Sequence, residues 1–106
     1  MAGTKPILVC MVWRGGERFQ RCLESIHSSI GHFSRIVLSI TGPADGPDMQ
    51  RAMWASHENT DIEVICTERE LPTMQHQDLW IEYLLATGAK ASDWIYWLAY
   101  DDEVRP

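Results

Sequence analysis

The sequence predicts an α/β fold: an open, mostly parallel sheet in the order 3-2-1-4 with helices on both faces. Three observations lead there. Ile7-Leu8-Val9-Cys10-Met11-Val12-Trp13 is an apolar run without polar alternation, as in a strand buried on both faces. After Gly15-Gly16 the apolar period lengthens to that of a helix. Strand-like and helix-like segments then keep alternating to the end of the chain, the pattern of a parallel sheet covered by its crossovers.

The elements follow in order. The Ile7–Trp13 run is the central strand. Phe19, Cys22, Leu23, Ile26 and Ile30 then recur at helical spacing, with Glu17 and Arg21 one turn apart on the wet face and Gly31 placed for a C-cap. A second strand is expected over 35–40, closed by Thr41-Gly42-Pro43 and a turn-rich stretch, and a short helix over 48–57. Residues 62–66 form a third strand. Thr73 suits an N-cap for a helix running to Gly88 through Leu79, Trp80, Tyr83, Leu84 and Leu85, and residues 94–99 are the fourth strand. Trp54, Trp80, Trp94 and Trp97 are expected to fill the space between helices and sheet. Trp13 fits either the core or the mouth of a site. His76 reads as a solvated neighbour of the helix start.

Composition narrows the functions. The chain has 106 residues, 9 Lys+Arg against 15 Asp+Glu, and a formal charge of −6, a size that suits one domain. With lysine only at Lys5 and Lys90, no basic stripe is available to neutralise a nucleic-acid backbone, so no nucleic acid is expected as a partner. No apolar run reaches the roughly 20 residues of a spanning helix, and no secretory signal is legible. A cytoplasmic location is expected, peripheral to a membrane in a longer protein. Cys10, Cys22 and Cys66 lack the paired spacing of a disulfide framework or zinc site and read as reduced thiols.

In such a sheet, ligands bind beyond the carboxyl ends of the strands, where strand order reverses. Trp13-Arg14-Gly15-Gly16 would there lie beside Tyr100-Asp101-Asp102-Glu103. Clustered carboxylates raise one another's pKa unless a cation relieves them, and Mg²⁺ or Mn²⁺ suits such oxygen ligands together with a substrate phosphate. The two glycines would let a diphosphate approach backbone amides at the start of the first helix. Gly15-Gly16-Glu17-Arg18 matches neither G-x-G-x-x-G nor a P-loop.

The opening strand followed by Arg14-Gly15-Gly16-Glu17-Arg18-Phe19-Gln20-Arg21-Cys22-Leu23-Glu24-Ser25-Ile26 resembles the start of the glycosyltransferase family 2 domain, whose first helix reads close to R-L-x-x-C-L-E-S-I. Asp93 through Pro106 resembles that family's fourth strand and Asp-x-Asp metal loop. The resemblance spans the chain, strongly at its ends and weakly between Thr41 and Gln77. It implies a GT-A type, Rossmann-like, nucleotide-sugar-binding half. The enzyme would transfer a sugar, with inversion and metal assistance, from a nucleoside-diphosphate donor to a glycan or lipid-linked acceptor. It further implies a chain that is the N-terminal part of a longer protein, inactive alone, with its general base beyond Pro106. By alignment Asp102 is the first-choice metal ligand and Asp101 the next, while Tyr100 replaces the family's first aspartate. The acidic pair that follows the family's second strand is replaced by Leu38-Ser39-Ile40-Thr41, leaving Ser39 or Thr41 to meet a base edge. The expected donor-binding set is therefore Trp13, Arg14, Gly15, Thr41, Tyr100 and Asp101. A non-catalytic nucleotide-binding module is the alternative from another class. A phosphoacceptor receiver domain would want its acids after strand one, where Arg14 and Gly15 stand. An exposed edge on strand four would favour a homo-oligomer.

Overall fold

The computed structural model describes residues 5–59, 61–68, 73–90 and 93–99. Four strands, β1 (Ile7–Trp13), β2 (Arg35–Thr41), β3 (Ile62–Thr67) and β4 (Ile95–Ala99), alternate with helices α1 (Gly16–Ser28), α2 (Pro47–Glu58) and α3 (Thr73–Ala86). The sheet order is β3-β2-β1-β4 and every pairing is parallel. The expected α/β architecture and strand order are those observed.

β1 is central because its side chains cannot tolerate water on either face: Ile7, Leu8, Val9, Cys10 and Val12 are all buried. Alternate residues face two cores. Leu8, Cys10 and Val12 join Ile36, Leu38 and Ile40 of β2 under Phe19, Cys22, Leu23 and Ile26 of α1 and Ala52 of α2. Ile7, Val9 and Val37 pack against Trp80 and Leu84 of α3 on the other face. In the first core Cys10 and Cys22 are free thiols that share a hydrogen bond, with the sulfurs 3.6 Å apart; that bond and burial together hold the Cys10 thiol well above its usual pKa.

Several expectations need correction. α1 stops at Ser28, where the Ser29 amide donates to Ile26 O at 3.0 Å, and a 3₁₀ turn (Ile30–His32) follows. Gly31 thus sits inside that turn rather than capping α1. Of the four tryptophans assigned to the core only Trp80 is buried; Trp54, Trp94 and Trp97 are exposed. For Trp97 the cause is topological: α3 packs over β1 and β2, so the same face of β4, with Ile95 and Trp97, is left open. Among the described residues no helix is long and apolar enough to cross a membrane.

At the amino-terminal end of the sheet, Arg35 forks onto Glu63 at 2.8 and 2.7 Å, and the Tyr83 hydroxyl donates to the same carboxylate at 2.6 Å. This ties β2, β3 and α3 together with charge-assisted bonds. The Arg35 bonds hold the Glu63 carboxyl below its usual pKa, with the Tyr83 bond adding to them against partial burial. A depressed folded pKa contributes stability above the unfolded value, near 4.3 for glutamate, and loses it as pH falls through the folded value. Glu63→Gln is therefore expected to cost about 1 kcal/mol at neutral pH, the scale of a partly exposed pair. Urea titrations should show that difference shrinking below about pH 4.

Candidate ligand-binding cleft

A cleft of about 440 Å³ opens beyond the carboxyl ends of β1 and β2, within the size range of small-molecule sites. Its walls combine the end of β1 (Trp13, Arg14), the end of β2 (Thr41, Gly42) and the first turn of α2 (Asp48, Arg51). The location follows from strand pairing, since Trp13 stands opposite Thr41 in the β1–β2 register. A larger groove of about 770 Å³ lies between α1 and α2, from Gln20 to Ile62 at the amino end of β3. It lies away from the carboxyl ends of the strands, so the smaller cleft is the better candidate.

Trp13 is 46% exposed at the mouth of the cleft, which removes it from the core. The Arg14 guanidinium lies 5.2 Å from the centre of its ring, within cation–π range. Arg14 also takes a left-handed backbone conformation, φ 51°, which turns the chain sharply between β1 and α1.

Gly15 and Gly16 have a different task from the one expected. Their amides donate to the two carboxylate oxygens of Asp48, at 2.8 and 3.1 Å. The start of α1, where amides lack helical partners and the helix dipole favours an anion, is thus occupied by a carboxylate from α2. Arg51 stands 3.5 Å from Asp48 and balances part of its charge. The amides expected to meet a diphosphate are already committed, and Gly15 is placed by packing: a Cβ there would lie 2.5 Å from Phe19 Cβ and 3.0 Å from Val12 Cγ1. Gly16, at φ +57°, needs glycine for its backbone conformation.

His76 also departs from expectation. It is 4% exposed, in the first turn of α3, with Nε2 2.6 Å from Ser39 Oγ and Nδ1 3.2 Å from Thr41 Oγ1. Burial pushes its pKa below the usual histidine value, favouring the neutral ring. These two bonds satisfy the ring where α3 lies over β2, so a polar first turn buries a histidine.

Of the expected donor-binding residues, Trp13, Arg14 and Thr41 meet at the cleft, while Gly15 lies behind its wall. Tyr100, Asp101 and Asp102, with the Mg²⁺ or Mn²⁺ assigned to them, lie outside the described residues. β4 leads toward them from a position beside β1, with Ala99 opposite Met11. Among the described residues no group of three or more His, Cys, Asp or Glu could hold a metal ion. Sequence reasoning passed over Asp48 and Arg51. The signal available was Gly46-Pro47-Asp48, a helix start that strand order places beside the start of α1.

Comparison of the chain with protein-family models, curated proteins and solved structures finds no match.

Asp48→Ala should lower stability by about 1–2 kcal/mol, as when a helix cap is lost, and Gly15→Ala by about 1–3 kcal/mol through overpacking against Phe19. Chemical denaturation of the two single variants checks both values.

Proposed function

We propose that the chain recognises the nucleoside-diphosphate portion of a sugar donor and forms the donor-binding half of a metal-assisted glycosyltransferase. The observation that carries this reading is the cleft itself. It joins a half-exposed indole and an arginine at the carboxyl ends of two adjacent parallel strands. Those groups answer to the parts of a nucleotide: a flat base for the Trp13 ring and an anionic phosphate for Arg14.

The Asp48 carboxylate at the start of α1 adds a condition. It repels a diphosphate from that helix end, so the phosphates belong on the Arg14 side or with a cation. The resemblance to glycosyltransferase family 2 supplies the latter role: Asp102, with Asp101, would hold Mg²⁺ or Mn²⁺. Such an ion neutralises diphosphate charge and stabilises it as a leaving group. In the transfer itself the bond from the anomeric carbon to the diphosphate breaks, a bond to the acceptor hydroxyl oxygen forms, and the hydroxyl proton passes to a base. No described residue is assigned as that base.

Calorimetric titration with nucleoside diphosphates, with and without Mn²⁺, tests this reading. Binding is expected and should strengthen with the metal. Trp13→Ala should weaken it by about 1–3 kcal/mol, the scale of base–aromatic stacking. Asp102→Asn should weaken the Mn²⁺-dependent part by about 1–3 kcal/mol. Absence of nucleotide binding, or full affinity in the Trp13 variant, would remove the cleft as the donor site.

A further inference from the structure

Among the described residues β4 pairs with β1 alone, which leaves its other edge open. The Ile7 amide donates to Trp94 O at 2.8 Å, and the backbone groups of successive residues point to opposite sides of a strand. Tyr96 and Leu98 therefore turn toward β1 with Trp94, and the N–H and C=O groups of Ile95, Trp97 and Ala99 face outward. Edge strands normally guard such groups with charge, proline or a bulge. Ile95-Tyr96-Trp97-Leu98-Ala99 carries neither charge nor proline, and its register with β1 is unbroken. One face of this edge is open and apolar as well. Ile95 and Trp97 stand opposite Ile7 and Val9, on the face that α3 covers over β1 and β2, and both are exposed. Tyr83 reaches Glu63 on β3, so the opposite flank of α3, where Ile81 and Leu85 are exposed, is turned toward β4.

We infer that this edge is the interface with a second copy of the chain, formed by antiparallel pairing of β4 with its counterpart about a two-fold axis at Trp97. The strand is its own complement there. Trp97 exchanges both backbone bonds with the partner's Trp97, and Ile95 pairs with the partner's Ala99 on each side of the axis, so every outward group is satisfied at once. A helix packed on the open face would cover it and still leave those groups to water. The space above the joint also suits two copies. α3 lies over β1 and β2, two strand spacings from the axis, so the two α3 helices stand about 19 Å apart at about 4.8 Å per spacing. Helices about 10–12 Å across with their side chains leave about 8 Å between them, close to the thickness of two rings in contact. The two Trp97 indoles fill that gap, with Ile81 and Leu85 as its walls. Trp94, Ile95, Trp97, Ile81 and Leu85 together expose roughly 600 Å² in each copy, at the lower end per partner for a specific interface. The cleft lies at the carboxyl ends of β1 and β2, away from this edge, and stays open.

The test is sedimentation velocity on the full 106-residue chain. A dimer is expected at about 200 µM, where micromolar association is well populated. Trp97→Lys puts a charge on the edge and should weaken self-association on the order of thirtyfold, the scale of an interface hot spot. Circular dichroism should show the fold of that variant unchanged, because the side chain it replaces is exposed. Trp54→Lys, at an exposed tryptophan of α2, should leave dimerisation as it was. Amide exchange followed by NMR separates strand pairing from apolar contact alone: the Ile95, Trp97 and Ala99 amides should exchange more slowly in concentrated than in dilute samples. A monomer at the higher concentration, a dimer that Trp97→Lys leaves intact, or edge amides that stay unprotected would overturn the inference. Each of these outcomes leaves the nucleotide reading untouched, since the cleft and the edge share no residue.

Discussion

Burial of β1 on both faces governs the rest of the molecule. Seven residues without polar relief must be flanked by strands on both edges and covered by helices on both sides. The pairings with β2 and β4 satisfy the edges, and α1 with α2 on one face and α3 on the other satisfy the sides. Once β1 is central, the carboxyl ends of β1 and β2 lie next to each other. The loops leaving them enclose the cleft, and the start of α2 is brought against the start of α1.

That last contact is an electrostatic choice with a cost. The start of a helix presents unpaired amides and a positive field, and a bound anion can satisfy both. Here Asp48 does so from within the chain, through two bonds to Gly15 and Gly16. The turn gains rigidity and a fixed spacing between α1 and α2, and gives up an open anion site. Positive charge in the cleft is carried instead by side chains, Arg14 and Arg51, with Arg51 partly engaged by Asp48. Under the proposed reading a nucleotide would be met by the indole of Trp13 and the guanidinium of Arg14 rather than by a glycine-lined backbone cradle.

The second face carries polar links where the first is almost wholly apolar. Arg35, Glu63 and Tyr83 bind β2, β3 and α3 at the amino end of the sheet. His76 binds α3 to β2 at the carboxyl end through Ser39 and Thr41. Together these anchors place α3 over β1 and β2. The open face of β4, with Ile95 and Trp97 exposed, follows from that placement.

The sequence by itself determined the local periods and, through them, the elements and their order. An uninterrupted apolar run separates a central strand from a surface one, and a change from that run to a helical period marks each crossover. The parallel 3-2-1-4 sheet and the placing of Trp13, Arg14 and Thr41 at strand ends were therefore legible. Contacts between side chains distant in sequence were not. Asp48 reads as an acid in the first turn of its own helix, and nothing local shows that its carboxylate reaches Gly15 and Gly16. His76 reads as polar and solvated, and its burial follows from where α3 crosses β2. Trp97 reads as core, and its exposure follows from which strands α3 covers. Only tertiary structure decides these, because period reports which face of an element is apolar but not which neighbour arrives to meet it.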